Sequence, residues 1–290
     1  MKYSCNNWYN KLGQVLVSTV NEPGAFRMTK EKRFLVDVGI KDLPFPIRAA
    51  SKACPDGQNT IANISISARI MHEFEARWID TFIRIVHQHR EKIGTKTLKV
   101  NIADYLKQLN ASSVEIDFEY PFFVEKSTPV SKEKCLVRYL CTYSAKALSA
   151  ERHPTISFKI KIPIVTTYPT FNEEEKDLFG QLSLVKIDIQ SQSDIYPEDI
   201  VELVDRHALA SVYSFLTKED QIFLIDKIHS EKKTSVVVVD EVKSELARDR
   251  DIDHYSVSCS NFGMLHSYST IIGTEKSMWV PFSGYEAEEI

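Results

Sequence analysis

Strict alternation of apolar and polar residues marks the strands of this chain. In residues 61–70, apolar side chains occupy every second position from Ala62 to Ile70. This is the pattern of a strand with one buried face. Residues 157–165 and 183–191 alternate in the same way. Weaker patterns of the same kind predict further strands at 33–40, 112–120, 135–145, 253–261 and 265–273.

Apolar residues at helical spacing predict helices between these pairs of strands. Asn101 is the expected N-cap of one helix, because its side chain can accept a bond from a free backbone N–H. Pro197 begins another and is followed by two acids, as helix starts prefer. The predicted helices are 75–89, 101–109, 197–208, 218–229 and 236–248.

The order of these elements repeats, with strand-strand-helix-helix-strand-strand in each half of the chain. No long loop separates the halves, so we expect an α+β fold of two fused modules that share one antiparallel sheet, with the helices on one face. The predicted boundaries are an N-terminal extension over 1–33, modules over 34–150 and 151–274, and a tail over 275–290. The second face and the edge strands of the sheet would otherwise be exposed to solvent. Their burial between subunits predicts a homo-oligomeric barrel, a dimer or tetramer.

Composition and charge exclude several classes of partner. The formal net charge is -4, which gives no electrostatic reason to expect nucleic acid or an anionic membrane as a partner. No apolar run approaches the length of a membrane span, and the N-terminus has no apolar signal-peptide core. The five cysteines are widely spaced without a CxxC pair, which favours reduced thiols in a cytoplasmic protein.

Several motifs, in order along the chain, resemble those of the GTP cyclohydrolase type IB family, which has a bimodular tunnelling fold (T-fold). No single motif is specific to the family, but the order in which the motifs occur over residues 34–273 is specific to it. The segments that carry the resemblance are `VGI` at 38–40, `TIANISI` at 60–66, `YPFFVEKSTPVS` at 120–131, `EDIVELVDRHALASVYSFLTKEDQ` at 198–221 and `NFGMLHSYS` at 261–269.

The resemblance implies two T-fold modules in a tunnel-forming homo-oligomer, with sites for purine-like or pterin-like rings at subunit interfaces. It also implies a reaction in which the imidazole ring of GTP opens, formate leaves, and the product closes to dihydroneopterin triphosphate. In the family, a divalent metal held by cysteine, histidine and an acid activates the water.

The chain departs from the family pattern at the residues that would hold this metal. Tyr168-Pro169-Thr170 stands in place of Cys-Pro-Cys, and the segment 179–183 has no histidine where the family has one. Phe74 replaces a further histidine, whereas Arg77 and His266 remain. We therefore expect no metal or other cofactor. A new metal site from His254, Cys259 and His266 is disfavoured, because residues 254 and 259 point to opposite faces of a strand.

The first functional hypothesis is a redirected enzyme that acts on a purine-like or pterin-like heterocycle or a biosynthetic intermediate without the family metal. His266 is its acid–base group, since the pKa of histidine suits that work, and Tyr168 and Thr170 are its hydroxyl donors. The candidate substrate contacts are Arg77, Gln181, Ser183, Asp205 and Asp226.

Two other functions stay open: a retained GTP cyclohydrolase with rearranged ligands and a divalent metal, and a non-catalytic protein that binds the ring. Individual residues also have structural interpretations. His266 and Tyr168 are also compatible with packing roles, Gln181 and Ser183 with a solvent-facing strand surface, and Arg77 with an ion pair.

Overall fold

The computed structural model describes residues 35–71, 78–149, 153–168, 179–263 and 267–276. The strands in these ranges are β1 (Leu35–Ala49), β2 (Gln58–Met71), β3 (Ser113–Ser127), β4 (Lys134–Leu148), β5 (Thr155–Thr167), β6 (Gly180–Ser191), β7 (Ala210–Ser211), β8 (Ile252–Phe262) and β9 (Thr270–Lys276). The helices in these ranges are α1 (Trp78–His89), α2 (Thr95–Gln108), α3 (Pro197–His207), α4 (Lys218–Ser230) and α5 (Ser235–Arg248).

All of these strands belong to one antiparallel sheet in the order β1-β2-β3-β4-β5-β6-β8-β9, with the short β7 paired to β5. The two halves of the chain join where β4 pairs with β5, with Tyr143 opposite Phe158. This continuous sheet confirms the predicted α+β architecture, in which two modules share a sheet. Strands β1 and β9 form its edges.

The helices cover one face of the sheet. Apolar side chains from alternate positions, such as Ile64, Ile116, Phe158 and Ile187, are buried on that face and belong to one core. Helix α2 packs against β3, β4 and β5, and α5 packs against β8 and β9. The opposite face carries polar residues such as Asn63, and it is less buried. Alternation along each strand therefore places the core, as the sequence predicts.

Three local predictions were wrong. Helix α2 begins six residues earlier than predicted, so Asn101 lies inside it. The cap is instead at Gly94, whose N–H donates to the Thr97 hydroxyl at 3.1 Å. Strand β9 begins at Thr270 rather than at residue 265. The strand-strand-helix-helix-strand-strand order does not hold in the second half, which has β7 and three helices between its strand pairs. Each of those three helices was predicted individually.

Among the described helices, none has the length and apolar character needed to cross a membrane.

Candidate functional site at the ends of three strands

Polar side chains meet where β5 ends, β6 begins and β8 ends. The strand register places Thr166 opposite Gln181, and Ser183 opposite Asn261. We call Thr166, Tyr168, Gln181, Ser183 and Asn261 the strand-end cluster. Two of the three catalytic candidates, Thr170 and His266, and the candidate contact Arg77 lie outside the described residues.

A chain of hydrogen bonds runs through the strand-end cluster. The hydroxyl oxygens of Thr166 and Ser183 lie 2.7 Å apart, and Ser183 donates to Asn261 Oδ1 at 2.8 Å. Asn261 Nδ2 in turn donates to Ser235 Oγ at 2.9 Å and to Thr270 Oγ1 at 3.2 Å. One amide thus connects β6, β8, β9 and the first residue of α5.

Gln181 and Ser183 point toward the helices and not toward solvent. They share strand parity with Val185 and Ile187, and all four side chains are buried. The solvent-facing interpretation is therefore wrong for both residues. The contact of Gln181 is a weak one, because its Nε2 donates to the Thr167 carbonyl at 3.4 Å, near the upper limit for a hydrogen bond.

Tyr168 supplies the aromatic surface of the cluster. Its N–H donates to the Phe179 carbonyl at 2.7 Å, which extends the β5–β6 pairing by one residue. The side chain is half-buried, and its ring lies against the backbone of Gly263. A Cβ added at Gly263 would lie 3.2 Å from Tyr168 Cε2 and 3.9 Å from Gln181 Oε1. Glycine at position 263 thus allows Tyr168, Gln181 and the end of β8 to approach closely.

The segment between α4 and α5 is fixed to the same end of β5. Thr167 N–H donates to the Lys233 carbonyl at 2.8 Å, and Lys233 N–H donates to Thr167 Oγ1 at 2.7 Å. This reciprocal pair holds the start of α5, and with it Ser235, against the cluster. The arrangement is a rigid, hydrogen-bonded support beneath Tyr168.

The described residues of this region do not fit the metal centre that the family resemblance implies. Their side chains are hydroxyls, amides and the thiol of Cys259, 3.6 Å from Asn261 Oδ1. Burial raises the pKa of the Cys259 thiol to about 11, whereas metals bind the thiolate. Within the described ranges, no group of three His, Cys, Asp or Glu side chains is placed to hold a metal.

The two acidic candidates lie elsewhere. Asp205, on α3, forms an ion pair with Lys126 in a separate cleft. Asp226 is exposed on α4. Asn261, Ser235 and Thr270, which complete the hydrogen-bond network, were not predicted from the sequence. The parity of Asn261 with the buried Val257 and Cys259 was an available signal that its side chain points inward.

A family model described as "Type I GTP cyclohydrolase folE2" matches residues 28–271. The chain is 29% identical over 241 residues to "GTP cyclohydrolase FolE2" of Citrifermentans bemidjiense, covering 83% of this chain and 89% of that protein. It is 26% identical over 240 residues to the protein of the same name from Nitrosococcus oceani, covering 82% and 89%. These matches favour the cyclohydrolase alternative over the redirected enzyme that the sequence analysis placed first.

Solved structures of the same fold include a uricase from Bacillus fastidious. It has a TM-score of 0.53 at 9% identity, and the match covers 83% of this chain and 92% of that chain. A hyperthermostable mutant of the urate oxidase from Bacillus sp. TB-90 has a TM-score of 0.52 at 10% identity, covering 83% and 99%. At these identities the likeness concerns the fold alone, and it agrees with the predicted tunnelling fold.

Proposed function

Because the chain belongs to the type I GTP cyclohydrolase FolE2 family, we propose that it acts on GTP as a cyclohydrolase. The observation that carries this proposal is the family match, which spans residues 28–271 and so includes both halves of the sheet. The proposed reaction opens the imidazole ring of GTP by hydrolysis and releases formate.

We assign recognition of the purine ring to the surface around Tyr168. The ring of Tyr168 is half-buried against Gly263, and this contact restricts its orientation before a ligand arrives. An aromatic face held in this way can stack on a planar heterocycle. The amide of Gln181 also lies beside Gly263, and its long 3.4 Å hydrogen bond to the Thr167 carbonyl can be exchanged for one to the edge of a ligand.

The buried part of the strand-end cluster has a positioning role. Ser183 and Asn261 are fully engaged with Thr166, Ser235 and Thr270. They therefore hold the backbone under Tyr168 and do not themselves need to contact substrate. His266, three residues beyond Gly263, keeps the acid–base role that the sequence analysis proposed for it, and no step is assigned to a metal.

A second candidate function is binding of the ring without opening it. The observation that favours it is the neutral chemistry of the strand-end cluster, whose hydroxyls and amides can recognise a ring but offer no ionised base. Because the family resemblance implies a tunnel-forming assembly, we also propose that the chain works as a homo-oligomer through its sheet edges.

Formate release from GTP by purified protein tests the proposal, with manganese or zinc added in one series and metals removed by chelation in the other. The proposal predicts formate in at least one series. Formate only with added metal supports the rearranged-ligand alternative, and formate in both series supports chemistry by side chains alone. Saturable GTP binding without formate in either series contradicts the cyclohydrolase and supports the ring-binding candidate.

Two substitutions at one position test the role of Tyr168. Tyr168→Leu removes the ring and is expected to weaken GTP binding about tenfold, the size of one stacking interaction. Tyr168→Phe keeps the ring and is expected to bind GTP within about twofold of the unmodified chain. Equal losses in both variants would assign the role to the hydroxyl instead.

A further inference from the structure

Two lysines face each other on the side of the sheet that the helices leave open. The strand register places Lys161 of β5 directly opposite Lys186 of β6. Their neighbours along each strand, among them Ile160 and Ile187, point into the core. Both lysine side chains therefore point away from the core, and both are exposed. We call Lys161 and Lys186 the lysine pair.

The lysine pair opposes two like charges without a counter-charge. Like charges directly opposite each other on neighbouring strands destabilise a sheet, because their Cβ atoms lie only about 5 Å apart. Among the described residues, neither ammonium group forms an ion pair or a hydrogen bond. The pair thus lowers stability and has no compensating partner in the part of the chain that the structure describes.

The carboxylate beside the lysine pair is already engaged. Asp188 lies two residues beyond Lys186 on the same face, and its Oδ2 pairs with Lys159 at 3.6 Å. The open face of β5 and β6 carries three lysines and one aspartate, a formal charge of +2. Because the whole chain has a formal net charge of -4, this concentration of positive charge runs against its overall balance.

The next strand adds a hydroxyl group to the same row. Ser258 of β8 lies opposite Lys186, and Gly273 of β9 lies opposite Ser258. The Ser258 hydroxyl has no hydrogen-bond partner within the described ranges. A Cβ added at Gly273 would lie 3.1 Å from Ser258 Cβ, so glycine at this position leaves the space beside Ser258 open.

This row of donors selects the class of ligand. A multiply charged oxyanion accepts charge-assisted hydrogen bonds from several donors at once, and lysine binds phosphate as a compact point charge. A carboxylate would neutralise only one ammonium group, whereas a polyphosphate balances both. The row crosses three strands, about 10 Å, which fits a small ligand and is too short for a nucleic acid.

We propose that the lysine pair binds a phosphate or polyphosphate group of a small molecule. Lys161 and Lys186 donate to its oxygens, and the Ser258 hydroxyl lies beside them. Thr166 of the strand-end cluster is buried on the other face of the sheet, five residues or about 17 Å farther along β5. This site therefore goes beyond the proposed function and shares no residue with the surface around Tyr168.

Isothermal titration of the full chain with inorganic triphosphate tests the proposal. Lys161→Met and Lys186→Met each keep the apolar part of the side chain and remove its charge. Each is expected to weaken triphosphate binding about tenfold, the size of one charge-assisted hydrogen bond. Equal affinities of the unmodified chain and both variants, or no binding to the unmodified chain at millimolar concentration, would overturn the proposal.

Lys146→Met is the matched control. Lys146 is exposed on the same face, on β4, but it pairs with Glu115 at 3.6 Å. Its loss should change the affinity for triphosphate by less than about twofold. A loss as large as that in Lys161→Met would show that triphosphate responds to the general charge of the sheet and not to the lysine pair.

GTP titrations of the same variants identify the source of the phosphate group. A loss for inorganic triphosphate alone assigns the site to a free polyphosphate. An equal loss for GTP assigns it to phosphates that a nucleotide carries. Formate release from GTP, which tests the proposed function, is measured separately, so failure of one proposal is distinguishable from failure of the other.

Thermal unfolding at low ionic strength supplies a second test of the lysine pair. Lys161→Met removes the repulsion and is expected to raise the melting temperature by about 1–3 °C. Triphosphate should raise the melting temperature of the unmodified chain more than that of this variant. Lys146→Met removes the cation that faces Glu115 and should give no rise. A melting temperature of Lys161→Met at or below that of the unmodified chain would contradict the proposal.

Discussion

The strand-end cluster and the cleft between α3 and the β3–β4 hairpin, which we call the α3 cleft, are both rich in polar side chains, but they differ in how those side chains are satisfied. In the cluster, the side-chain oxygen and nitrogen of Asn261 both bond within the protein, and the Ser183 hydroxyl bonds to both Thr166 and Asn261. In the cleft, Glu198 and Asp205 each keep one buried oxygen without a partner among the described residues. The cluster is also neutral, whereas the cleft is acidic.

This difference separates polar groups that stabilise the fold from buried carboxylate oxygens that lower its stability. A satisfied network contributes rigidity, and its loss appears as a fall in stability. A half-satisfied carboxylate lowers stability, because its buried oxygen has lost its hydration without a replacement. Tyr168 belongs to the first region but lies at its surface, so the rigid network presents a binding surface that it does not itself form.

The largest expected effect on stability comes from the buried ion pair between Lys126 and Asp205 in the α3 cleft. The side chains of Lys126 and Asp205 are only 9% and 18% exposed. Lys126→Met leaves the Asp205 carboxylate buried without its cation, and we expect the free energy of unfolding to fall by about 3–5 kcal/mol. The double substitution Lys126→Met with Asp205→Leu should recover most of this loss. Chemical denaturation measures both.

Lys134 provides the control within the same hairpin. It pairs with Glu125 at 2.7 Å, but these side chains are 71% and 55% exposed. Lys134→Met should therefore change the free energy of unfolding by less than about 1 kcal/mol. A similar loss for Lys126→Met and Lys134→Met would show that burial does not distinguish the two pairs.

The next largest effect is expected in the strand-end cluster. Asn261→Leu removes the partner of the Ser183, Ser235 and Thr270 hydroxyls, and we expect the free energy of unfolding to fall by about 2–4 kcal/mol. Asn63→Leu, on the open face of the sheet, should change it by about 0.5 kcal/mol or less. If the two variants denature at the same urea concentration, the network does not stabilise the sheet.

Asp220 offers a carboxylate that is fully satisfied, for comparison with Glu198. Its Oδ1 accepts from Val130 N at 2.8 Å and Ser131 N at 3.0 Å. Its Oδ2 accepts from Ser131 Oγ and Thr217 Oγ1, each at 2.7 Å. Burial alone raises the pKa of this carboxyl, but the hydrogen bonds from Ser131, Thr217 and Val130 outweigh it and hold the pKa well below its usual value.

A lowered pKa fixes the sign of the pH dependence. The stabilisation by Asp220 is complete above the unfolded pKa, near 3.8, and is lost as pH falls toward the lower folded pKa. Asp220→Asn should lower the melting temperature at pH 7 by several degrees. The difference in melting temperature between this variant and the unmodified chain should shrink as the pH falls from 4 to 2. Asp226→Asn, on the exposed face of α4, should follow the unmodified chain throughout. A melting-temperature difference for Asp220→Asn that stays constant with pH would show that the ionised Asp220 carboxylate is not the source of the stabilisation.

The parts of the fold that were predicted are those fixed by local patterns. Alternation in β2 and β5 and helical spacing in α3 each identify a buried face without any knowledge of the partner element. The start of α2 was missed because its cap comes from the Gly94 backbone and Thr97, and not from the expected Asn101. Strand β7 is two residues long, set by its pairing with β5, and leaves no pattern to read.

The two polar regions differ in the same way. Gln181 and Ser183 share parity with Val185, a signal in the sequence that the solvent-facing interpretation of both residues overlooked. Their connection to Asn261 and Ser235 depends on strand order, because these residues are more than 50 positions away. The acidic stripe of α3 is also visible in the sequence, but the hairpin that closes the cleft comes from the first half of the chain. Tertiary pairing, and not local pattern, creates both sites.

The most direct test of this account is a titration of GTP into three forms of the chain. These are the unmodified chain, Tyr168→Leu, and Glu198→Gln, whose substitution lies in the α3 cleft. We expect Tyr168→Leu to bind GTP about tenfold more weakly, and Glu198→Gln to bind it as the unmodified chain does. If the two substitutions weaken GTP binding equally, the surface around Tyr168 is not the site that recognises the ring.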